Sequence, residues 1–223
     1  MARMPRLVIP HYPHHVTQRG ARRQKTFFSN ADYKTYLDLL ATAKDGVGAE
    51  IWAYCLMPNH VHHVIVPRKE DSLAALFSDA HRRYTRHINF REGWRGHLWQ
   101  ERFHSFVMDE RYLMATVRYI ELNPVRAGLC RKPQDWPWSS ARAHLAGKND
   151  ALVSVQPMLA RVDDWSAYLE RETDRKTADT IRQHTRTGRP TGSDRFLKQL
   201  ESMTGRTIRR RKPGPRRADM SDK

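Results

Sequence analysis

Two apolar runs meeting at a proline constrain this chain more than any other feature. The first is Glu50-Ile-Trp-Ala-Tyr-Cys-Leu-Met57 and the second His60-Val-His-His-Val-Ile-Val66, with Pro58-Asn59 between them and Pro67 after. Runs of this length, rich in β-branched and aromatic residues and joined by a Pro-Asn turn, predict an antiparallel hairpin. In a strand, residues i and i+2 project from one face, so His60 and His62 point one way while Val61 and His63 point the other.

Further elements fall into place around this hairpin. Residues 14–19 alternate as a strand, and Gly20 opens a basic loop over 21–25. Ser29 or Asn30 caps a helix over 31–44, which the glycines at 46 and 48 stop. A helix over 72–89 turns Leu73, Leu76, Phe77 and Ala80 inward and Arg82, Arg83 and Arg86 outward. A glycine-bearing loop covers 91–97, and 103–108 reads as a strand. Asp109 or Glu110 opens a helix through Leu122 that Asn123-Pro124 ends, because a residue before proline disfavours the α region. The order strand, helix, strand, strand, helix, strand, helix predicts an α+β fold: an antiparallel sheet with flanking helices in the ferredoxin-like, split βαβ layout. Short helices follow from residue 139 onward, including one over 163–174 and a last one over 194–203, with 186–192 as a linker between them. Residues 206–217 carry seven basic side chains and no acidic one, interrupted by Pro213-Gly-Pro215, and predict a basic tail that gains order on DNA. The resulting division is a core over 1–147, a helical extension over 148–205 and the tail over 206–223.

Charge says what such a chain meets. Its 223 residues hold 40 Lys plus Arg against 24 Asp plus Glu, a formal net charge of +16. Much of the excess is arginine, whose planar fork matches phosphate, and neutralising phosphates releases condensed counterions. A nucleic acid is the expected partner. No apolar run reaches the roughly 18 residues a membrane span needs, and the N-terminus lacks a signal-peptide core. A cytoplasmic, nucleoid-associated protein without a membrane partner is therefore expected. Cys55 and Cys130 lack metal-type spacing and read as ordinary buried or half-buried thiols.

Two constellations carry chemistry. His60 and His62 form half of a divalent-metal site; imidazole suits Mn and Zn, whereas Mg²⁺ needs added oxygen donors such as a substrate phosphate. By itself such a pair is more often structural than metallic, and twelve histidines in the chain make chance pairs easy. Tyr119 and Asn123 stand four apart on a helix and share a face. An Asn123 amide oxygen could complete the two-histidine site while the Tyr119 hydroxyl attacks a phosphate there. Taken alone, this helix reads first as a core aromatic at Tyr119 with its hydroxyl at the rim and a plain C-cap at Asn123.

His60-Val-His62, then Gly96-His-Leu-Trp-Gln-Glu-Arg-Phe103, then Tyr119-Ile-Glu-Leu-Asn-Pro-Val125 together resemble the REP-associated tyrosine transposases, in the single-tyrosine branch of the HUH endonucleases. Val16-Thr-Gln-Arg-Gly20, Leu56-Met-Pro-Asn-His60 and Asp135-Trp-Pro-Trp-Ser-Ser140 are similar to the family pattern too, so the resemblance runs from about residue 5 to 147. It implies His60 and His62 as ligands of a divalent metal ion (Mg²⁺ or Mn²⁺), Asn123 as the third ligand, and Tyr119 as nucleophile. Tyr119 would form a 5′-phosphotyrosine link to single-stranded DNA and release a 3′-hydroxyl, which reverses the step in strand joining. Hairpin-forming palindromic repeats are the implied substrate, and no small-molecule organic cofactor is implied. Arg19, Arg22, Arg23, Arg82, Arg83, Arg86 and Arg102 are candidate DNA-backbone contacts, and Trp94 and Trp99 candidate base-stacking platforms. A non-catalytic hairpin-binding protein of the same fold, or an RNA-directed one, remains the alternative, and monomer against homodimer stays open.

Overall fold

A computed structural model describes residues 6–171 and 174–209. The strands and helices come in the order β1 (His14–Arg19), α1 (Asn30–Lys44), β2 (Ala49–Met57), β3 (His60–Pro67), α2 (Ser72–Glu92), β4 (His104–Val107), α3 (Glu110–Glu121) and α4 (Asn123–Arg126). After these come α5 (Ala141–Ala146), α6 (Gln156–Leu159), α7 (Trp165–Glu170), α8 (Arg175–Thr187) and α9 (Asp194–Thr204). The four strands pair antiparallel in the order β2-β3-β1-β4. This is the α+β, split βαβ architecture expected from the sequence.

Each face of the sheet has its own core, and the period of 2 along each strand decides which side chain goes where. Val16, Leu56, Val61 and Ile65 pack with Tyr36, Leu40, Leu76, Phe77 and Tyr84 of α1 and α2. On the other face Ala53, Cys55, Met57, Val64 and Phe106 pack with Val117, Tyr119 and Ile120 of α3, Trp165 and Tyr168 of α7, and Ile181 of α8. His60 and His62 lie on this second face, opposite Arg19 and Thr17 of β1. α1 starts where Asp32 accepts the backbone N–H groups of Phe28 and Ser29, at 2.8 and 3.0 Å, so Ser29 is the cap. Gly20 turns β1 into the basic loop and bridges to Trp99; a Cβ there would stand 2.4 Å from the Gln24 carbonyl oxygen.

The chain past α3 departs from the sequence expectations in three places. Pro124 does not end the helical path: it falls in the first turn of α4, where its missing N–H is not needed. The helix expected over 163–174 stops at Glu170, and Asp174 instead caps α8 by accepting the Thr177 N–H at 2.9 Å. The segment expected as a linker holds the end of α8 and then bridges: Thr191 pairs with Met108 in parallel. At Gly192 a Cβ would meet Phe196 at 2.4 Å and Asp109 at 2.9 Å. α7, α8 and α9 of the expected extension therefore pack on the sheet, with Phe196 and Leu200 of α9 against Val107 and Ile9. Of the expected tail, Ile208 is buried and Arg209 pairs with Glu201 at 2.7 Å; residues 210–223 lie outside the described ones.

Candidate active site

A cleft of about 1120 Å³ opens between the second face of the sheet and α8. Thr17 and Arg19 of β1, His60 and His62 of β3, His104 of β4 and Tyr119 of α3 line one side, and Arg175, Lys176, Asp179, Arg182 and Arg186 of α8 the other.

The two imidazoles are held by the same ring position. His60 Nδ1 lies 2.6 Å from Asn59 Oδ1, and His62 Nδ1 lies 2.9 Å from Nε2 of His15. His15 reaches His62 because it occupies β1 on the same sheet face, and the two rings meet edge to edge, inclined by 10° with centroids 5.1 Å apart. Both Nε2 atoms are left without a protein partner among the described residues. Burial, with the nearby Arg19 second, pushes His60 down to about 4. Burial, then His60 and His15, holds His62 well below the ordinary imidazole value. Both rings are therefore neutral at neutral pH, the form that ligates a cation.

The Tyr119 ring crosses His62 edge-on at 6.2 Å between centroids. It lies between two guanidiniums: Arg126, 4.1 Å above its centroid and donating to the Tyr119 carbonyl at 2.7 Å, and Arg182, 5.9 Å from the centroid and bonded to its hydroxyl. Arg182 also takes Asp179 at 2.8 Å, and these bonds, Tyr119 first, hold its guanidinium protonated. Two residues on, Glu121 is fully buried and accepts from Ser140 Oγ at 2.6 Å and Trp165 Nε1 at 2.9 Å, with His144 Nδ1 at 2.6 Å. The end of α3, and Tyr119 with it, is thus pinned to α5 and α7.

The candidates from sequence divide among several locations. Tyr119, His60, His62, Arg19 and Arg23 come together at the cleft. Asn123 stands at the start of α4 outside the cleft lining; its Oδ1 takes Arg126 at 3.3 Å and its buried Nδ2 has no partner. Arg82, Arg86 and Arg102 line a second groove, of about 590 Å³, with Arg6, His97 and Trp99. Arg83 turns to Asp79 at 3.5 Å, and Arg22 is exposed outside both clefts. Trp99 is buried and stacks on His81 at 4.6 Å, whereas Trp94 is exposed beside Phe28. Sequence reasoning missed His15, His104, Arg126 and the basic face of α8. The signal for α8 was present: an aspartate cap at 174, basic residues at helical spacing, and glycine at 188.

Two imidazoles with free Nε2 atoms fit two ligand positions of a divalent cation. Among the described residues no three His, Cys, Asp or Glu side chains gather as a metal cluster. Completion therefore falls to neutral or external oxygens; the Asn123 amide oxygen, which stands outside the cleft lining and accepts from Arg126, would have to give up that bond to serve as one.

The IS200-like transposase family model matches residues 9–123, just over half the chain, from before β1 to the start of α4. A Haemophilus influenzae protein assigned to the REP-associated tyrosine transposases is 28% identical over 102 residues, 41% of this chain and 58% of that protein. An Escherichia coli REP-associated tyrosine transposase is 22% identical over 126 residues, 56% of this chain and 74% of that one. The chain thus matches less than two thirds of the Haemophilus relative's length. The structure of a REP-associated tyrosine transposase bound to a REP hairpin shares the fold with TM-score 0.57 at 22% identity, over 69% of this chain and 92% of that one.

Proposed function

The chain belongs to the IS200-like transposase family, and from that premise we propose that it cuts and rejoins single-stranded DNA through Tyr119, with Mg²⁺ or Mn²⁺ held by His60, His62 and Asn123. The observation that carries this reading is the meeting of the Tyr119 hydroxyl with the His60 and His62 rings in one cation-lined cleft.

The chain's own groups divide the work. Asn59 and His15 hold the Nδ1 atoms of His60 and His62, so that both Nε2 atoms are presented together. The bound cation would polarise a phosphoryl oxygen and spread its developing charge. Arg19 and Arg182 supply fixed positive charge on either side of the scissile phosphate, and preorganised charge of this kind favours the transition state. The Tyr119 oxygen bonds to phosphorus as its proton passes to solvent. The bond from phosphorus to the 3′ oxygen breaks, and that oxygen takes up a proton as a 3′-hydroxyl. Attack by a 3′-hydroxyl on the phosphotyrosine ester reverses each change and restores the strand.

A palindromic repeat folded as a hairpin with a single-stranded flank is the proposed substrate. The likeness to a fold solved on a REP hairpin supports it, as do the two arginine-lined clefts. The test uses hairpin oligonucleotides labelled at the 5′ or 3′ end, incubated with the chain and Mn²⁺ or Mg²⁺ and run on a denaturing protein gel beside RNA of the same sequence. A protein-linked band from the 3′-labelled DNA alone, absent in Tyr119→Phe and His60→Ala, is the expected result. Tight binding without cleavage under either metal would make this a hairpin-binding protein instead.

A further inference from the structure

We propose that α8, in the extension beyond the family match, is a binding site for the sugar-phosphate backbone of the strand cut at Tyr119, so that the extension builds half of the cleavage cleft. The inference rests on the cleavage reading above and adds a substrate contact to it.

α8 is a fixed wall. Ala178 and Ile181 are buried against the sheet, and His184 packs on Phe106 with ring centroids 5.8 Å apart. Its start is capped by Asp174, and the backbone after its end joins β4 through Thr191 and Met108. The helix cannot turn its exposed face elsewhere without uncovering this apolar seam.

That face is cationic where it meets the cleft. Arg175, Asp179, Arg182 and Arg186 line it at the four-, three- and four-residue spacing that places side chains on one side of a helix, with Lys176 beside Arg175. One acid, Asp179, interrupts them, and Arg182 already neutralises it at 2.8 Å. Arg175, Lys176 and Arg186 are exposed and make no ion pair among the described residues. Helix design alone gives no reason for this: unpaired cations clustered across from Arg19 and Arg23 repel one another, and only an anion between them relieves the repulsion. The geometry selects the anion. Tyr119 and the His pair lie on the side of the cleft that faces α8, so a flexible single backbone entering between the two sides meets both, with its bases free to turn outward. A duplex carries its phosphates on a stiff cylinder and meets the rim alone.

The experiment measures binding without chemistry. A fluorescent oligothymidine and a blunt duplex of equal length are titrated with the full chain in EDTA, by anisotropy, over a series of salt concentrations. The variants are R175Q/K176Q/R186Q and a charge-matched control, K69Q/R131Q/K148Q, whose residues lie outside both clefts. Every phosphate that a variant no longer neutralises lowers the slope of log affinity against log salt by about 0.7 on a single strand, so the α8 triple variant should lose about 2. The control should lose well under half of that, and duplex binding should change alike in both. Equal losses in the two variants would overturn the proposal, reducing the face to net charge. Tighter binding by the α8 variant would overturn it too, making α8 a cover over the cleft. Wild-type cleavage of a labelled hairpin, run in parallel with Mn²⁺, separates the two readings: cleavage with an inert α8 face sinks this inference alone.

Discussion

The ring of His62 owes its orientation to a residue that no motif marks. His15 meets its Nδ1 at 2.9 Å, and burial pushes His15 down to about 3, so it stays neutral and can accept a proton from that nitrogen. His15 Nδ1 is itself buried without a partner, an uncompensated polar atom that folding would select against unless the contact served something. Partners of this sort are typically worth about 10- to 100-fold in metal affinity. His15→Ala should therefore weaken Mn²⁺ binding by about that range in calorimetric titration of the full chain, with far-ultraviolet dichroism unchanged. His15→Gln, whose amide oxygen can accept the same proton, should recover part of the loss. An affinity equal to wild type in His15→Ala would show that sheet packing alone sets the ring.

Among elements, the tyrosine helix is held by its buried carboxylate. Glu121 takes Ser140, His144 and Trp165 with no exposure to solvent, and truncating it orphans donors on two other helices. Each orphaned buried group costs about 1–3 kcal/mol, so Glu121→Ala should destabilise the chain by about 3 kcal/mol or more, read as a fall in urea midpoint at constant slope. A change below 1 kcal/mol would mean that water replaces the carboxylate. Nothing in Tyr119-Ile-Glu-Leu-Asn123 announces this role, because it depends on Trp165 arriving from a segment 44 residues away. The β2–β3 hairpin was legible since its period, its turn and its two faces are local. So was the shared face of His60 and His62. The end of α7 was not: the helix expected over 163–174 absorbed Asp174, whose side chain instead caps α8. The arginines were legible as charge but not as places, since Arg19 and Arg86 reach different clefts only once α2 and α8 cover opposite faces of the sheet.

The whole molecule is a sheet with apolar cores on both faces and histidines built into each. His14 is buried in this interior and His81 lies half-buried at the second groove, neither touching His60 or His62; loss of hydration pushes His14 down to about 4 and His81 to about 3. Each has a partner suited to the neutral ring, the Tyr12 carbonyl at 2.8 Å from His14 Nδ1 and the Tyr36 hydroxyl at 3.0 Å from His81 Nε2. Burial holds Tyr36 well above the ordinary phenol value, so it remains the donor. In the unfolded chain both imidazoles take a proton near pH 6.5, whereas in the fold they do so only near 4 and 3. Between those values the unfolded state binds more protons, so stability is full above about pH 6.5 and is lost as pH falls towards 4 and 3. Each proton contributes a slope of about 1.4 kcal/mol per pH unit. The urea midpoint should accordingly hold from pH 8 to 7 and fall steeply from 6 to 5. His81→Gln, whose amide oxygen can still accept from Tyr36, should remove up to one proton from that slope while lowering the midpoint at pH 7.5 only modestly. A midpoint that stays flat from pH 7.5 to 5 in the wild-type chain would mean that these rings gain protons inside the fold without cost, and that the two cores admit water to them.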